Sequence, residues 1–281
     1  MSRVHKPHRW QWLWLIPAAL LVWWPLWFLF MGALMSQEEL RLTIGPALGL
    51  GTGYTDWPTL EPLLTLLLDT PQFFVMFWNS IGQSVAQVAG NLLVGAPAAW
   101  AISRLRFRGR SMVRGLYIVL MLLPFQVTMV PSYLVLRQFG LLDTPWAIIL
   151  PGIFSTFPVF IMERGFDTVP REVLESASID GANQWQRFWR IGIPLGIPGL
   201  ISALTLGFLD AWNAIEQPMT FLESPQYWPL SLFFTDPANL DTKQLGLAMA
   251  ASLWMLLPSI LAFRFGQTYL EAGLTKGAVK G

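Results

Sequence analysis

A polar stretch between two long apolar runs, residues 175–194 with the sequence "ESASIDGANQWQRFWRIGIP", decides the fold of this chain. It combines charged residues with two tryptophans, a central glycine and a closing proline. The rest of the chain is very apolar, since 54% of its 281 residues are hydrophobic and only 12% are charged. A soluble domain has about 25% charged residues. The composition therefore indicates an integral membrane protein that keeps a polar insert.

Six apolar segments are long enough to cross a bilayer, because a spanning helix needs about 20 mostly apolar residues. They are predicted at residues 12–35, 77–102, 116–136, 145–162, 196–215 and 245–265. The first segment follows a basic tail and resembles a cleaved signal peptide in its position. Its apolar core is longer than the roughly 7–15 residues of such a peptide, so we predict a membrane anchor.

The distribution of Lys and Arg predicts the orientation of these spans. With six spans, 15 of the 18 basic residues fall on one side, in the two tails and in loops 103–115 and 163–194. Membrane proteins carry their excess of basic residues on the cytoplasmic side. We therefore predict an all-α polytopic protein of a bacterial-type cytoplasmic (inner) membrane, with six transmembrane helices and both termini in the cytoplasm.

The same assignment divides the chain into five regions and places the insert in the cytoplasm, between the fourth and fifth helices. The regions are a cytoplasmic tail at 1–11, a first transmembrane helix at 12–35, an external loop at 36–76, a transmembrane domain at 77–268 and a cytoplasmic tail at 269–281.

The insert itself is predicted to contain a short amphipathic helix that ends in a tight corner. Pro170 suits the first turn of this helix, and Thr168 just upstream is a candidate cap. Gly181 is the expected stop, because glycine adopts a positive φ without steric cost. A ridge of small residues at 176–178 would let another protein approach the helix closely. A helix that simply lies on the membrane surface is the alternative.

An aromatic segment follows the corner. Trp185, Phe188 and Trp189 fall on one face of a helix, at spacings of three and four residues. Such rings collect at membrane interfaces, so this face is expected to press into the inner interface. Pro194 is then expected to open the fifth span.

The insert resembles the "EAA" signature of the permease subunits of binding-protein-dependent ABC importers. That signature reads E-A-A, three residues, Gly, nine residues and I-x-L-P; this chain has E-S-A, G and I-G-I-P at the same spacing, with two mild departures, Ser176 for Ala and Ile193 for Leu. In that family the helix is the coupling helix, which docks in a cleft of the ATP-hydrolysing subunit. The resemblance gives this coupling role to Glu175, Ser176, Ala177, Asp180, Gly181, Ile191 and Pro194.

Other segments extend the resemblance over about 200 residues in the expected order. They are "FWNSIG" at 77–82, "SRLRFRGR" at 103–110, "PFQVTMVPSYL" at 124–134, "GLLDTPWAIILP" at 140–151 and "AWN" at 211–213. Together they are similar to the carbohydrate type, represented by the smaller maltose permease subunit with its MetI-like transmembrane domain. The family's C-terminal tail reaches into the ATPase dimer interface, and the matching residues here are Gly277, Ala278, Val279, Lys280 and Gly281.

The resemblance implies a permease subunit of an ATP-driven importer for a sugar or related solute, and not an enzyme. Its implied partners are a second permease, an ABC ATPase dimer, an extracytoplasmic solute-binding protein and the lipid bilayer, with no nucleic acid. The sequence lacks G-x-x-x-x-G-K-[ST], so ATP and Mg are expected in the ATPase and no cofactor in this chain. The chain has no Cys, and its two histidines lie in the N-terminal tail, so no metal site is expected.

Polar side chains inside the second predicted span are candidates for the translocation path. They recur every four residues, at Asn79, Gln83, Gln87 and Asn91. Lipid does not tolerate such a face, so it must meet other helices or water. Packing between helices through amide hydrogen bonds is the alternative to a transport role.

The third predicted span adds Gln126 and Thr128 to the candidate path. Pro124 and Pro131 flank them and should kink or break the helix, because each proline removes an intrahelical hydrogen bond. A broken helix near the membrane midplane suits a moving gate or a cavity wall. A static kink is the alternative.

Asp210 and Asn213 are the candidate path residues of the fifth span, although Asp210 would also fit an interfacial carboxylate. Two other classes of protein stay open at this point. One is a secondary transporter or channel that works alone, although the two internal repeats common in such proteins are not found here. The other is a membrane scaffold or insertase that transports nothing.

Overall fold

The computed structural model describes residues 9–36, 39–40, 58–235 and 245–278, and every regular element within these ranges is helical. The α-helices are, in chain order, α1 (Arg9–Gly32), α2 (Glu61–Leu64), α3 (Pro71–Arg104), α4 (Arg110–Leu122), α5 (Phe125–Gln138), α6 (Trp146–Ile153), α7 (Thr156–Asp167), α8 (Arg171–Ile179), α9 (Gln184–Arg187), α10 (Ile193–Asn213), α11 (Glu216–Phe221) and α12 (Leu245–Ala278). Single π-helical turns follow α2 and α9, at Thr65–Asp69 and Phe188–Gly192, and 3₁₀ turns lie at Pro225–Tyr227 and Leu230–Thr235.

Five helical segments are long and apolar enough to cross a membrane. They are Leu13–Gly32, Pro71–Arg104, Trp146–Asp167, Gln184–Asn213 and Leu245–Glu271. The bent pair α4 and α5 makes a sixth if it is counted as one span. The protein is therefore an all-α polytopic membrane protein, as the apolar runs predict.

The third predicted span is not one helix, because α4 and α5 meet at an angle of 103°. Leu123 leaves the helical conformation with ψ 125°, and Pro124 follows with ψ 151°. Proline lacks an N–H and disfavours a helical conformation in the residue before it, so α4 stops there. The predicted break is confirmed at Pro124. Pro131 lies inside α5 and does not break it, and the alternative of a kink at this residue stays a prediction.

The fifth span begins earlier than predicted, since Gln184–Asn213 is one helical segment. Pro194 does not open it, because the π-turn Phe188–Gly192 joins α9 to α10 ahead of that residue. The predicted aromatic face is also only partly right. Trp185 and Trp189 are exposed, but Phe188 is buried, with its ring centroid 5.8 Å from that of Trp100. The ring of Phe188 therefore belongs to the protein core and not to the membrane interface.

The start of α8 also differs from the prediction. Pro170 is the N-cap residue of α8 and does not lie in its first turn. The Thr168 hydroxyl donates to the Gly165 carbonyl at 2.8 Å, so it serves the end of α7 and does not cap α8. Threonine hydroxyls readily donate to a carbonyl three or four residues earlier, and Thr168 makes this bond in place of a cap on α8.

The chain divides into two compact units. The first comprises the described residues up to Phe74 together with those of Phe234–Leu256. Small residues allow close packing within it. A β-carbon on Gly246 would lie 3.0 Å from the Pro62 ring, and one on Gly32 would overlap the Met249 side chain. Close backbone approach through glycine is a common way for membrane helices to associate.

The second unit, Val75–Phe233 with Leu257–Gly281, contains every site discussed below. Its core includes the rings of Trp100, Phe166 and Phe188, with 5.3 Å between the centroids of the first two. This core lies where α3, α7 and the π-turn meet. We call this end of the unit, which carries residues 103–114 and 163–190, the arginine-rich end. The end that carries residues 139–145 and 214–233 is the opposite end.

Candidate functional site

A cavity of about 750 Å³ lies among α3, α5, α7 and α10. Four predicted path residues line it: Gln87, Asn91, Thr128 and Asp210. Further polar groups in its wall come from Ser132, Ser155, Thr156 and Gln217, between apolar side chains such as those of Leu120, Phe125 and Phe157. Irregular backbone and polar side chains at membrane depth are tolerated where they line such a cavity.

A second cavity of about 630 Å³ lies beside the first, toward the opposite end. Asp210 lines both cavities, and Asn213 and Glu216 line the second. Asn213 donates to the Leu209 carbonyl of its own helix at 2.7 Å. Among the described residues, neither cavity is lined by Lys or Arg. The ionisable side chains of their described walls are therefore carboxyl groups only, those of Asp210 and Glu216.

Asn91 holds together a break in the fourth span. Its Nδ2 donates to the carbonyls of Ile153 and Ser155, at 3.0 and 3.1 Å, where α6 ends and α7 begins. The break leaves the last carbonyls of α6, such as that of Ile153, without intrahelical partners, and in an apolar environment each needs a hydrogen bond. Gln87 lies on the same face one turn earlier, with its amide against Gly152. Gln87 and Asn91 thus contribute to helix packing and also line the cavity.

Asn79 and Gln83 belong to the same series of polar residues spaced by four, but they do not line the cavity. The Asn79 amide donates to the carbonyls of Gln226 and Trp228 at 2.8 and 3.1 Å, and Gln83 donates to the Tyr227 carbonyl at 2.9 Å. Both residues therefore fasten α3 to the segment at the opposite end. Gln126 also lies outside the first cavity, because its amide donates to Glu216 Oε1 at 2.8 Å.

Asp143 fastens the same segment from the other side. Its Oδ1 accepts from the backbone N–H groups of Glu223 and Ser224 at 2.9 and 2.7 Å, and its Oδ2 accepts from the Ser224 hydroxyl at 2.5 Å. The hydrogen bond from the Ser224 side chain is the largest cause of a lowered pKa for this carboxyl. Local sequence did not single out this residue, although Asp is among the few non-glycine residues that accept a positive φ, here 54°.

Five of the seven predicted coupling residues, at positions 175–177, 180 and 181, belong to a rigid exposed structure, which we call the helix corner (residues 171–183). α8 ends at Ile179, and Gly181 has φ +82°, as predicted. Two backbone hydrogen bonds close the end: Ala182 N–H donates to Ala177 O at 2.9 Å, and Gly181 N–H to Ser178 O at 3.2 Å. This pair of bonds is the Schellman motif, which fixes the direction of the chain after a helix.

The next turn is fixed just as firmly. Asn183 Oδ1 accepts from the Gln186 N–H at 2.8 Å, and Gln186 Oε1 accepts from the Asn183 N–H at 2.9 Å. This reciprocal capping box starts α9 directly after the corner. Glu175, Ser176, Asp180 and Gly181 are exposed, whereas Ala177 and Ile191 are partly buried and Pro194 is exposed farther along. Glu175, Ser176, Asp180 and Gly181 are thus accessible, and the hydrogen bonds at the end of α8 and the start of α9 fix the backbone that carries them.

Arginine side chains attach the base of the helix corner to α3 and α4. Arg104 donates to the carbonyls of Phe166 and Val169, at 2.9 Å through Nε and 2.5 Å through Nη2. Arg114 forms an ion pair with Glu163, whose side chain is 5% exposed. Sequence reasoning missed this pair. Its only signal was that Glu163 directly follows an apolar run, and nothing in the spacing indicated a partner 49 residues away.

Parts of the remaining predictions lie at the limits of the described chain. Gly277 and Ala278 belong to the last turn of α12, and Val279, Lys280 and Gly281 lie outside the described residues. No group of three or more His, Cys, Asp or Glu suited to a metal ion occurs in the part of the chain that the structure describes.

Membrane-spanning helices, polar cavities at helix breaks and an exposed, braced corner together define the membrane subunit of a transport system. Residues 91–276 match the family of binding-protein-dependent transport system inner membrane components, and the chain belongs to this family. It is therefore a multi-pass protein of the inner membrane. Members of this family are permease subunits of ABC transporters and are not themselves catalytic.

Several named permease proteins are similar in sequence to about three quarters of this chain. The inner membrane ABC transporter permease protein YcjP of Escherichia coli (strain K12) is 33% identical over 211 residues, which cover 74% of this chain and 75% of the relative. The diacetylchitobiose uptake system permease protein DasC of Streptomyces coelicolor is 31% identical over 218 residues, covering 76% of this chain and 78% of the relative. The arabinooligosaccharides transport system permease protein AraQ of Halalkalibacterium halodurans is 28% identical, covering 79% of this chain and 80% of the relative.

The fold is shared with a solved structure. A chain of a bacterial ABC transporter involved in the import of the acidic polysaccharide alginate superposes with a TM-score of 0.77 at 23% identity. The match covers 95% of this chain and 99% of that chain.

Proposed function

We propose that this chain is one of two permease subunits of an ATP-driven importer for an oligosaccharide or related solute. Family membership and the carbohydrate names of relatives such as DasC and AraQ support the cargo class. The observation that carries the proposal is the helix corner, a rigid and exposed structure that no other described residues cover. The chain has no phosphate-binding loop of its own, so the energy must come from another subunit.

The proposed orientation follows the distribution of basic residues. The arginine-rich end faces the cytoplasm, and so do the tails at 1–11 and 269–281. The loop at 36–76 lies outside, and the transmembrane domain covers 77–268. An ABC ATPase dimer, which holds ATP and Mg, binds at the arginine-rich end. A solute-binding protein delivers the cargo at the opposite end, as the family description implies.

The helix corner is the proposed coupling element. Glu175, Ser176, Ala177, Asp180 and Gly181 dock on the ATPase, with Ile191 and Pro194 in the segment that leads back to the membrane. α7 enters the corner and α10 leaves it, so a displacement of α8 is passed to both helices. These two helices also line the larger cavity. ATP-driven movement at the corner would therefore change the shape of the cavity directly.

The polar cavity is the proposed translocation path, formed together with the second permease. Gln87, Asn91, Thr128 and Asp210 face it, and Asn213 continues it toward the opposite end. The C-terminal residues Gly277 to Gly281 are proposed to reach the ATPase interface.

Two glycines with positive φ give a matched test of the coupling role. Gly181 (φ +82°) and Gly140 (φ +65°) both have open space where a β-carbon would lie, so alanine adds similar backbone strain at either position, about 1–2 kcal/mol. Only Gly181 lies in the helix corner. We expect Gly181→Ala to reduce ATP-linked uptake severalfold in proteoliposomes that contain the whole transporter, and Gly140→Ala to leave it near the wild-type rate.

A charge reversal gives the second arm of this test. Glu175→Arg is expected to abolish ATP-linked uptake and co-purification of the ATPase, whereas Glu223→Arg at the opposite end is expected to preserve co-purification. Both residues are exposed, so neither change disturbs the core. Uptake by this chain alone, driven by an ion gradient without any ATPase, would reject the proposal in favour of a secondary transporter.

A further inference from the structure

A third cavity, of about 410 Å³, lies at the arginine-rich end between the inner face of α8, the start of α9 and the segment that joins α3 to α4. It is separate from the two cavities of the proposed path and shares no residue with them. Its charged lining consists of Arg104, Arg106, Arg110, Arg171, Arg187 and Glu175.

The charges around this cavity are strongly unbalanced, with five guanidinium groups against one carboxylate. None of the five arginines forms an ion pair with another described residue. Asp167, outside the lining, also interacts electrostatically with Arg104, but its carboxylate accepts from the Ser103 hydroxyl at 2.7 Å and lies 3.7 Å from Arg114. Like charges held in one cavity repel each other unless an anion lies between them.

Two residues that line the cavity also carry buried donor atoms without an acceptor. Trp100, which is 5% exposed, has an indole N–H with no hydrogen-bond partner in the described structure, and the Nε–H of Arg187 has none either. A buried donor without an acceptor is costly, and most such groups in native proteins are paired. These two donor atoms are closed to a group the size of water, so the free donors at the cavity are the guanidinium groups of Arg106, Arg171 and Arg187, and a ligand for them must supply oxygen acceptors and negative charge.

The chemistry that satisfies both demands is a phosphate group. Guanidinium groups match the oxygens of phosphate in a two-pronged geometry, and hydrogen bonds between ionised partners are the strong ones. The cavity also lies at the end of a spanning helix, because Trp100 and Arg104 belong to the last turns of α3. Phe107, Trp185 and Trp189 are exposed nearby, as rings at a lipid interface commonly are.

We propose that this cavity binds the phosphate of an anionic phospholipid and that the bound headgroup fixes α8 against the segment between α3 and α4. The site does not depend on the proposed transport function. Its arginines fall into two groups. Arg104 and Arg110 already hold backbone carbonyls, whereas Arg106, Arg171 and Arg187 supply charge without any hydrogen bond to the described protein.

The test uses the purified full chain in detergent, titrated with phosphatidylglycerol and separately with phosphatidylcholine, with bound lipid counted by native mass spectrometry. We expect phosphatidylglycerol to be retained in preference. The double variant Arg171→Gln/Arg187→Gln should weaken its binding by roughly tenfold or more, because two charge-assisted contacts are lost. The matched control Arg164→Gln/Arg190→Gln removes the same charge at the same end but outside the cavity, and should bind as the wild type does.

One further variant and one further ligand complete the test. Arg106→Gln removes the third lining arginine that has no side-chain hydrogen bond in the described structure, so it should weaken retention of phosphatidylglycerol without loss of folding. Inorganic phosphate, added in place of lipid, tests the other source of the same group. Stabilisation by inorganic phosphate with no preference for phosphatidylglycerol would overturn the lipid assignment. Equal loss of lipid in the cavity variant and the control variant would overturn the site itself, as would displacement of the lipid when the partner ATPase is added.

Discussion

The backbones of Gly165 in α7 and Gly199 in α10 are in direct contact: a β-carbon on Gly165 would lie only 2.6 Å from the Gly199 Cα. One turn away, a β-carbon on Gly196 would lie 2.8 Å from the ring of Phe166. Lipid tails are as apolar as the helices they surround, so membrane helices associate through close packing of small residues. This contact joins the two helices on either side of the helix corner, and it lies at the arginine-rich end.

Adding one methyl group at this contact should therefore destabilise the folded protein. We expect Gly165→Ala to lower the free energy of unfolding by about 1–3 kcal/mol, the usual penalty of overpacking, because the facing atom is backbone and cannot move aside. Thermal unfolding in detergent measures the effect. Gly115→Ala is the control, because a β-carbon there meets nothing within 4 Å. It should be neutral or stabilise α4 by up to about 1 kcal/mol. Equal midpoints for the two variants would contradict the close contact.

The ion pair of Arg114 and Glu163 gives a second prediction. Glu163 is 3% exposed, so removing its partner leaves a buried carboxylate without a countercharge. We expect Arg114→Ala to lower stability by about 3–5 kcal/mol. Glu163→Gln should cost less, because a neutral amide still accepts from Arg114 and needs no countercharge. Thermal unfolding and membrane yield report both effects.

The control for this pair is Arg108→Ala, which removes an exposed arginine from the loop between α3 and α4. It should leave the unfolding midpoint unchanged within error. A double variant, Arg114→Met with Glu163→Leu, should recover most of the stability lost in Arg114→Ala, because no buried charge remains. Failure of the double variant to recover any stability would show that the cost of Arg114→Ala lies in packing and not in the lost charge partner.

Much of this architecture could be predicted from local sequence. The long apolar runs predict the spans. The glycine after a short helix predicts the corner at Gly181, and Pro124 predicts the break between α4 and α5. The rest depends on which distant group a side chain meets. Four amides spaced by four residues predict a polar face, but not that Asn79 binds carbonyls 147 and 149 residues away while Asn91 binds those of a broken helix. Spacing within one helix carries no information about its neighbours.

Asp143 predicts a pH dependence at the opposite end. Hydrogen bonds from Ser224 and Glu223 hold its pKa below the usual value for Asp, so the ionised carboxylate stabilises the fold. This contribution is fully present above the unfolded pKa, about 3.9, and is lost as the pH falls through the lower folded pKa. We expect hydrogen exchange of residues 221–228, corrected for its intrinsic rate, to accelerate as the pH drops below about 4.

Asp143→Asn should exchange rapidly in this segment at all pH values and lose the acid-dependent step. Glu61→Gln, an exposed carboxyl elsewhere in the chain, is the control and should keep the step. The same acid-dependent step in Asp143→Asn would assign it to another group.

The absence of cysteine from the chain allows a direct probe of the charge in the larger cavity. Ser132 lines this cavity, as does Asp210, and no Lys or Arg does so among the described residues. A cavity lined by one sign of charge concentrates ions of the other sign. We therefore expect the single-cysteine variant Ser132→Cys to react about tenfold faster with a cationic methanethiosulfonate reagent than with an anionic one of similar size.

A matched cysteine at the arginine-rich end controls for the intrinsic reactivity of the two reagents. Ser111→Cys lies between Arg110 and Arg114 on an exposed surface and should show the reverse preference. Adding Asp210→Asn to Ser132→Cys should remove most of the preference for the cation, because Asp210 supplies the negative charge. If the preference survives this change, the field arises elsewhere and Asp210 does not select the solute. If it disappears, the cavity favours neutral or cationic solutes over acidic ones, and an acidic oligosaccharide becomes an unsuitable cargo for this permease.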